Sequence, residues 1–215
     1  MEHPLYNANM HPSRAGRPPE FNRATVVLEA ARLFWQRGYS GTSTRALSAA
    51  LTLSTSSIYA AFGSKAGLFE EAVRTYAERY RVIYQDACAQ PDFADTLDQL
   101  FRRSVEEFTQ PNSGHPGCLV SSAAMTDRPD AIDTRAYLDD LYASNERLLH
   151  KRIEQAQNDG QIPKRTDPAT LAASLQTLWH GLSVQSNQGL GRNDLLRLAD
   201  LLVSVLPGGR ASTTS

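Results

Sequence analysis

The run from Gly38 to Lys65, GYSGTSTRALSAALTLSTSSIYAAFGSK, leaves the chain few ways to fold. It contains two short stretches of helical periodicity, each introduced by a hydroxyl residue suited to capping a helix. Thr42, Ser43 or Thr44 can cap the first stretch, which continues through Leu51 and buries Ala46, Leu47, Ala50 and Leu51. Ser54 can cap the second, where Ile58 and Phe62 face inward and Thr55, Ser56, Ser57 and Tyr59 are left facing outward. Two short helices joined by a tight turn make at least a helical hairpin, and the same shape suits the DNA major groove.

Small hydroxyls at the start of the second helix suit the DNA major groove. They bond phosphates alongside backbone N–H groups at the positive helix end, and they let the backbone come close to base edges. A net charge of −1 argues against nucleic acid only if it is spread evenly, and it is not. Residues 1–65 carry seven Lys/Arg and three Glu, a net of +4, which leaves 15 basic and 20 acidic groups for residues 66–215. Only a basic head needs to meet phosphates.

The rest of the chain reads as all-α. Residues 1–20 are polar and rich in Pro, Asn and Gly, and are expected to form a flexible basic arm. They have no apolar core of the secretory kind. Val26, Val27, Ala30, Ala31 and Phe34 form a helical stripe with Gly38 as its expected stop. Ser64 can cap a longer helix with a stripe of Leu68, Phe69, Ala72, Val73, Tyr76 and Tyr80. Pro91-Asp92 begins another, with Leu97, Leu100, Phe101, Val105 and Phe108 on one face. TQPNSGHPG at 109–117 is a loop by composition, and CLVSSAAM after it is a short buried segment. A long helix is expected over 130–157, another from Asp167-Pro168, and a last one at about 193–206. No alternating strand pattern of useful length is present, and no apolar run approaches the roughly 20 residues of a membrane helix.

The pattern T-S-x-x-x-L near Thr42, then S-x-x-x-I-Y-x-x-F-x-x-K from Ser54 to Lys65, resembles the TetR family of bacterial regulators over about residues 17–80. Beyond that span the likeness is one of layout alone. The resemblance implies a flexible arm over 1–20, a helix-turn-helix DNA-binding domain over 21–66, a helical effector-binding and dimerisation domain over 67–207, and a disordered tail over 208–215. It also implies a cytoplasmic homodimer, joined by its last two helices (about 168–187 and 193–206), that binds a palindromic operator in double-stranded DNA. An unidentified small-molecule effector in the C-terminal domain would release it. Carried over by position, the DNA-facing residues are Thr42, Ser43, Arg45, Ser54, Thr55, Ser56, Ser57, Tyr59 and Lys65, with Arg14 and Arg17 on the arm. Two residues depart from the pattern. Thr52 stands where the family usually has glycine, so the turn is expected to be remodelled or strained. Ala61 removes a phosphate contact that histidine or tyrosine often supplies there.

Phe101, Phe108, Cys118, Tyr137, Tyr142 and Trp179 are the candidates to line an effector cavity. Cys88 and Cys118, the two cysteines, have neither metal spacing nor a disulfide framework. His115, His150 and His180 are too scattered to suggest a metal, and no cofactor motif or catalytic constellation stands out. Two alternatives remain at this level: the same fold acting as a Cys118-based oxidant or electrophile sensor, and an all-α enzyme or ligand carrier.

Overall fold

The computed structural model describes residues 21–110, 118–120 and 134–209. Among these residues there are eight helices and no strand, so the fold is all-α as expected. The helices are α1 (Arg23–Gly41), α2 (Thr44–Leu51), α3 (Thr55–Phe62), α4 (Lys65–Cys88), α5 (Phe93–Phe108), α6 (Thr134–Asn158), α7 (Pro168–Asn187) and α8 (Arg192–Val205). The expected arm at 1–20, most of the loop at 109–117 and the end of the tail lie outside the described residues, as do Arg14 and Arg17. Of the segment CLVSSAAM, Cys118, Leu119 and Val120 are described, and all three are buried.

Local signals set most helix starts. Asn22 accepts from the Thr25 N–H, Ser64 from Gly67 at 3.0 Å, Asp92 from Ala94 at 2.7 Å and Asp167 from Thr170 at 2.8 Å. Each satisfies an N–H that the first helical turn would otherwise leave without a partner. Gly38 kinks α1 rather than ending it. It adopts φ 70° and ψ 173°, and one more turn runs on to Gly41.

α4 is the spine of the molecule. It packs on α1 and α3 of the head and on α5 and α6 of the body. Below, α5 meets α7 and α8, and α6 meets α7. One continuous core results, running from Val26 and Phe34 through Phe69, Tyr76 and Leu100 to Trp179 and Val203. Edge-to-face ring pairs stitch its upper part: Phe34 on Phe69 at 5.0 Å and Trp35 on Tyr76 at 5.7 Å. No described helix is long and apolar enough to cross a membrane.

Candidate nucleic-acid interface and ligand core

Two hydroxyl caps set the helix-turn-helix. Ser43 accepts from the Ala46 N–H at 3.1 Å and starts α2; Ser54 accepts from Ser57 at 3.1 Å and starts α3. The Ser54 hydroxyl is also 2.8 Å from the hydroxyls of both Ser56 and Ser57, so the leading end of α3 presents a small cluster of polar oxygens. Ile58 and Phe62 turn inward, as the periodicity requires, while Ser56, Tyr59 and Ala60 are exposed. Tyr59 is 43% exposed. Ser43, Arg45 and Ser54 are also exposed, and Thr55 and Ser57 are half-buried.

The turn between the helices keeps its left-handed residue despite the missing glycine. Thr52 adopts φ 54° and ψ 36°, the only non-glycine residue at positive φ among the described residues. The Leu53 N–H reaches the Ser48 carbonyl at 3.2 Å, and the Ser48 hydroxyl bonds back to the Leu53 carbonyl. These bonds hold a β-branched residue where it costs about 1–2 kcal/mol. The expected departure is therefore strain rather than remodelling.

Two of the carried-over residues sit differently from their expected roles. Thr42 is fully buried, and its hydroxyl donates to the Gly38 carbonyl at 2.7 Å and the Leu33 carbonyl at 3.3 Å. It clasps the end of α1 rather than facing outward. Lys65 is half-buried, donating to the Tyr39 carbonyl at 2.7 Å with its ammonium 4.0 Å from the Tyr39 ring centroid. Arg45, by contrast, has no hydrogen bond or ion pair among the described residues.

Arg23 and Gly67, which the sequence pattern does not single out, fix the pose of α3. The Arg23 guanidinium donates to the Ala61 carbonyl at 2.9 Å, pairs with both Glu71 oxygens, and lies 4.3 Å from the Phe62 ring centroid. Ala61 thus contributes its backbone, which no side-chain pattern could reveal. At Gly67 an added Cβ would stand 2.1 Å from the Phe62 carbonyl oxygen, so only glycine lets α4 begin so close beneath α3.

In the body, Trp179 is the hub of an aromatic box. Its ring meets those of Tyr80 at 5.2 Å, Tyr84 at 5.9 Å, Phe108 at 5.3 Å and His180 at 5.2 Å. Its Nε1–H donates to the Ser104 hydroxyl at 2.6 Å. Tyr142 crosses from α6 to pack edge-on against His180 at 4.9 Å. Cys118 is fully buried, and its backbone N–H donates to Asn187 Oδ1 at 2.9 Å. Burial pushes the Tyr80, Tyr84 and Tyr142 phenols up and the His180 imidazole down, so all stay neutral near pH 7. Of the expected lining residues, Phe108, Tyr142 and Trp179 therefore meet in one place, with the Cys118 thiol beside Tyr80. Phe101 is buried in the core nearby, and Tyr137 instead carries the Arg74 guanidinium 4.2 Å from its ring centroid.

An open groove of about 530 Å³ lies apart from the box, lined in part by Arg79, Arg103 and Arg192. Its guanidiniums pair with Glu107 and Glu106, so its charges cancel. No cluster of three or more His, Cys, Asp or Glu among the described residues is placed to hold a metal. Val184 on α7 and Leu198, Leu201 and Val205 on α8 are exposed apolar side chains, and Val205 is 67% exposed.

Comparison with known proteins places this geometry. Residues 27–72 match the model of bacterial regulatory proteins of the tetR family, and residues 94–199 match the tetracyclin repressor-like C-terminal domain. The chain is 29% identical to the HTH-type transcriptional repressor ComR of Escherichia coli (strain K12), over 89% of this chain and 92% of that one. It is 26% identical to the HTH-type transcriptional repressor BdcR of the same strain, over 81% of this chain and 83% of that one. Among solved structures, a cysteine mutant of the TetR family regulator CifR bound to a 26-bp double-strand operator DNA is 34% identical with a TM-score of 0.75. That likeness covers 89% of this chain and all of the other.

Proposed function

Since the chain belongs to the tetR family of bacterial regulatory proteins, we propose that it is a dimeric transcriptional repressor released from a palindromic operator by a small-molecule effector. One observation carries this function furthest. The exposed face of α3 offers the Ser54–Ser56–Ser57 hydroxyl cluster and Tyr59 on a helix whose pose is fixed from behind by Arg23 and Gly67. Such a face fits a major groove, with small hydroxyls approaching closely and Tyr59 reaching base edges or the sugar-phosphate wall.

No arginine or lysine lies on α3. Cationic anchoring falls to the exposed Arg45, with Ser43 beside it at the start of α2, and to Arg14 and Arg17 on the arm. We assign DNA binding to residues 21–66 and the effector and dimer functions to 67–207. The exposed apolar strip of Val184, Leu198, Leu201 and Val205 supports pairing through α7 and α8. Exposed apolar side chains on two neighbouring helices are what a two-fold seam would cover. The working compartment is the cytoplasm, and the function is binding rather than catalysis.

Release follows from linkage. An effector that favours a pose whose heads no longer match the half-site spacing weakens operator binding, and operator DNA weakens effector binding by the same factor. We assign Cys118 a packing role here, since its side chain is fully buried. Footprinting on the DNA around the chain's own gene tests the proposal. A protected palindrome supports it, and none at any salt concentration sinks it. Release of that operator by peroxide or quinone from the native chain but not from Cys118→Ser would restore the sensor alternative.

A further inference from the structure

The aromatic box contains polar atoms that the fold does not satisfy. Gln176 is 92% buried, and its Nε2 donates to the Tyr142 backbone carbonyl at 3.3 Å. A carbonyl can only accept, so this bond fixes which end of the amide is nitrogen. Gln176 Oε1 is then a buried acceptor with no hydrogen-bond partner, and the Tyr142 hydroxyl is likewise buried and unpaired. The Tyr80 hydroxyl is also buried without a conventional partner, beside the Cys118 thiol, which is a weak one. Buried polar groups are nearly always paired, so several orphans gathered in one aromatic box call for an explanation.

They are gathered by the helices. Gln176 and His180 stand one turn apart on α7, and Tyr142 meets both, its backbone carbonyl accepting from the Gln176 amide and its ring packed on His180. Tyr80 and His180 each pack on Trp179, which closes the group. The side chains that make up this group are Tyr80, Tyr84, Phe108, Tyr142, Gln176, Trp179 and His180 with Ser104, and none carries a formal charge at neutral pH. Arg79, next to Tyr80 on α4, is spent on Glu107 at 2.9 Å and on the Tyr76 ring at 4.9 Å. An anion seated among these rings would be desolvated with no counter-charge from the described side chains of the box, which costs several kcal/mol. A neutral ring would instead meet aromatic faces and edges.

We propose that this box is the effector site and that it selects a neutral, ring-bearing molecule with at least one O–H or N–H donor, of the phenol or cyclic alcohol class. Gln176 Oε1 accepts from that donor, the Tyr142 hydroxyl bonds the same group, and the rings around Trp179 take the apolar body. Organic acids and phosphorylated metabolites are disfavoured, since none of the described side chains of the box is cationic. The proposal builds on the effector-released repressor function above and supplies the effector's chemistry.

Three matched probes test it by calorimetry on the full-length protein without DNA at pH 7: phenol, anisole, which lacks the donor, and benzoate, which is anionic. Phenol is expected to bind about 10-fold tighter than anisole, the worth of one well-placed hydrogen bond to a buried acceptor, and benzoate to bind weakest. Gln176→Met, close in shape, should bring phenol and anisole to near parity. Tyr142→Phe removes an unpaired hydroxyl, so it should leave the Tm unchanged or raised while costing phenol about 5-fold. Equal affinities for phenol and anisole, tightest binding of benzoate, or no binding of any probe by protein that still binds its operator would each overturn the proposal. Operator binding measured on the same samples keeps the two ideas apart. Phenol that binds without releasing operator would spare the site and sink release by effector.

Discussion

The Lys65 ammonium donates to the Tyr39 carbonyl at 2.7 Å and stands 4.0 Å from the centroid of the Tyr39 ring. The first residue of α4 thus ties down the last turn of α1, immediately behind the helix-turn-helix. Arg45 is exposed and has no such tether. The two cations should therefore separate by experiment. Lys65→Ala is expected to lower stability by about 1 kcal/mol, the worth of the lost hydrogen bond, and to change the salt dependence of DNA binding by less than one unit. Arg45→Ala should leave the Tm alone and flatten the salt slope by about one unit per half-site. Binding isotherms at several salt concentrations, set beside melting curves, decide the matter. A full unit of slope lost by Lys65→Ala would make it a phosphate anchor after all.

Tyr59 is 43% exposed on α3, at the margin of the face that buries Ile58 and Phe62. Tyr59→Ala should reduce operator affinity about 10-fold or more, as expected for loss of a contact worth about 1–3 kcal/mol, with the Tm nearly unchanged. Fluorescence anisotropy with a labelled operator, alongside a melting curve, measures both. A large drop in Tm with operator affinity intact would assign Tyr59 to packing.

Gly67→Ala tests the seat beneath α3. The new methyl would meet a backbone oxygen at 2.1 Å, which no side-chain rotation relieves. Overpacking of this kind costs about 1–3 kcal/mol. The Tm should fall by several degrees, and operator affinity should fall further than the loss of folded protein accounts for, because α3 must tilt. An unshifted Tm would mean that α4 slides freely and that the seat does not fix the pose of α3.

What the sequence makes legible here is whatever is decided within one or two turns. The stripe Val26–Phe34, the caps at Ser54 and Ser64, and the Asp167-Pro168 start each follow from neighbours in the chain, and all stand in the structure. The choice among Thr42, Ser43 and Thr44 as cap was open in sequence because all three have hydroxyls. It falls to Ser43 because the kink at Gly38 brings two carbonyls onto the Thr42 hydroxyl and buries it. Arg23 reaches Glu71 across 48 positions, and Gln176 reaches the Tyr142 backbone across 34. No periodicity encodes such contacts, since they arise only when helices are docked. For the same reason Phe108, Tyr142 and Trp179 could be named as lining residues, but Tyr80, Gln176 and His180 emerge only from the packing of α4 and α6 on α7.

Thr52→Gly is expected to stabilise the protein. It removes the penalty of a β-branched residue at φ 54°, about 1–2 kcal/mol, and returns part of that as extra freedom of the unfolded chain. A net gain of about 0.5–1 kcal/mol should raise the Tm by about 1–4 °C at this chain length. Operator affinity should hold, because Ser54 still caps α3. A lower Tm would show that the threonine side chain contributes more than its backbone strain costs.

His180 makes a pH prediction whose sign is fixed by burial. Its half-buried ring, packed between Tyr142 and Trp179, titrates below the ordinary value of 6.5 because the fold disfavours the charged form. Above about pH 7 the imidazole is neutral in both the folded and the unfolded chain and contributes no pH dependence. As the pH drops through 6.5, the unfolded chain takes up the proton first. Stability is therefore lost on acidification, down to the lowered folded-state value. Carboxylates with depressed titration, such as Asp167, lose their contribution only at more acid pH, which leaves a window for the histidine. Melting curves of the native chain and His180→Gln between pH 7.5 and about 5 should diverge, with the native Tm falling more steeply. Parallel curves would show that the ring takes up its proton in place, and that the box around Trp179 is open enough to water to hydrate a cation.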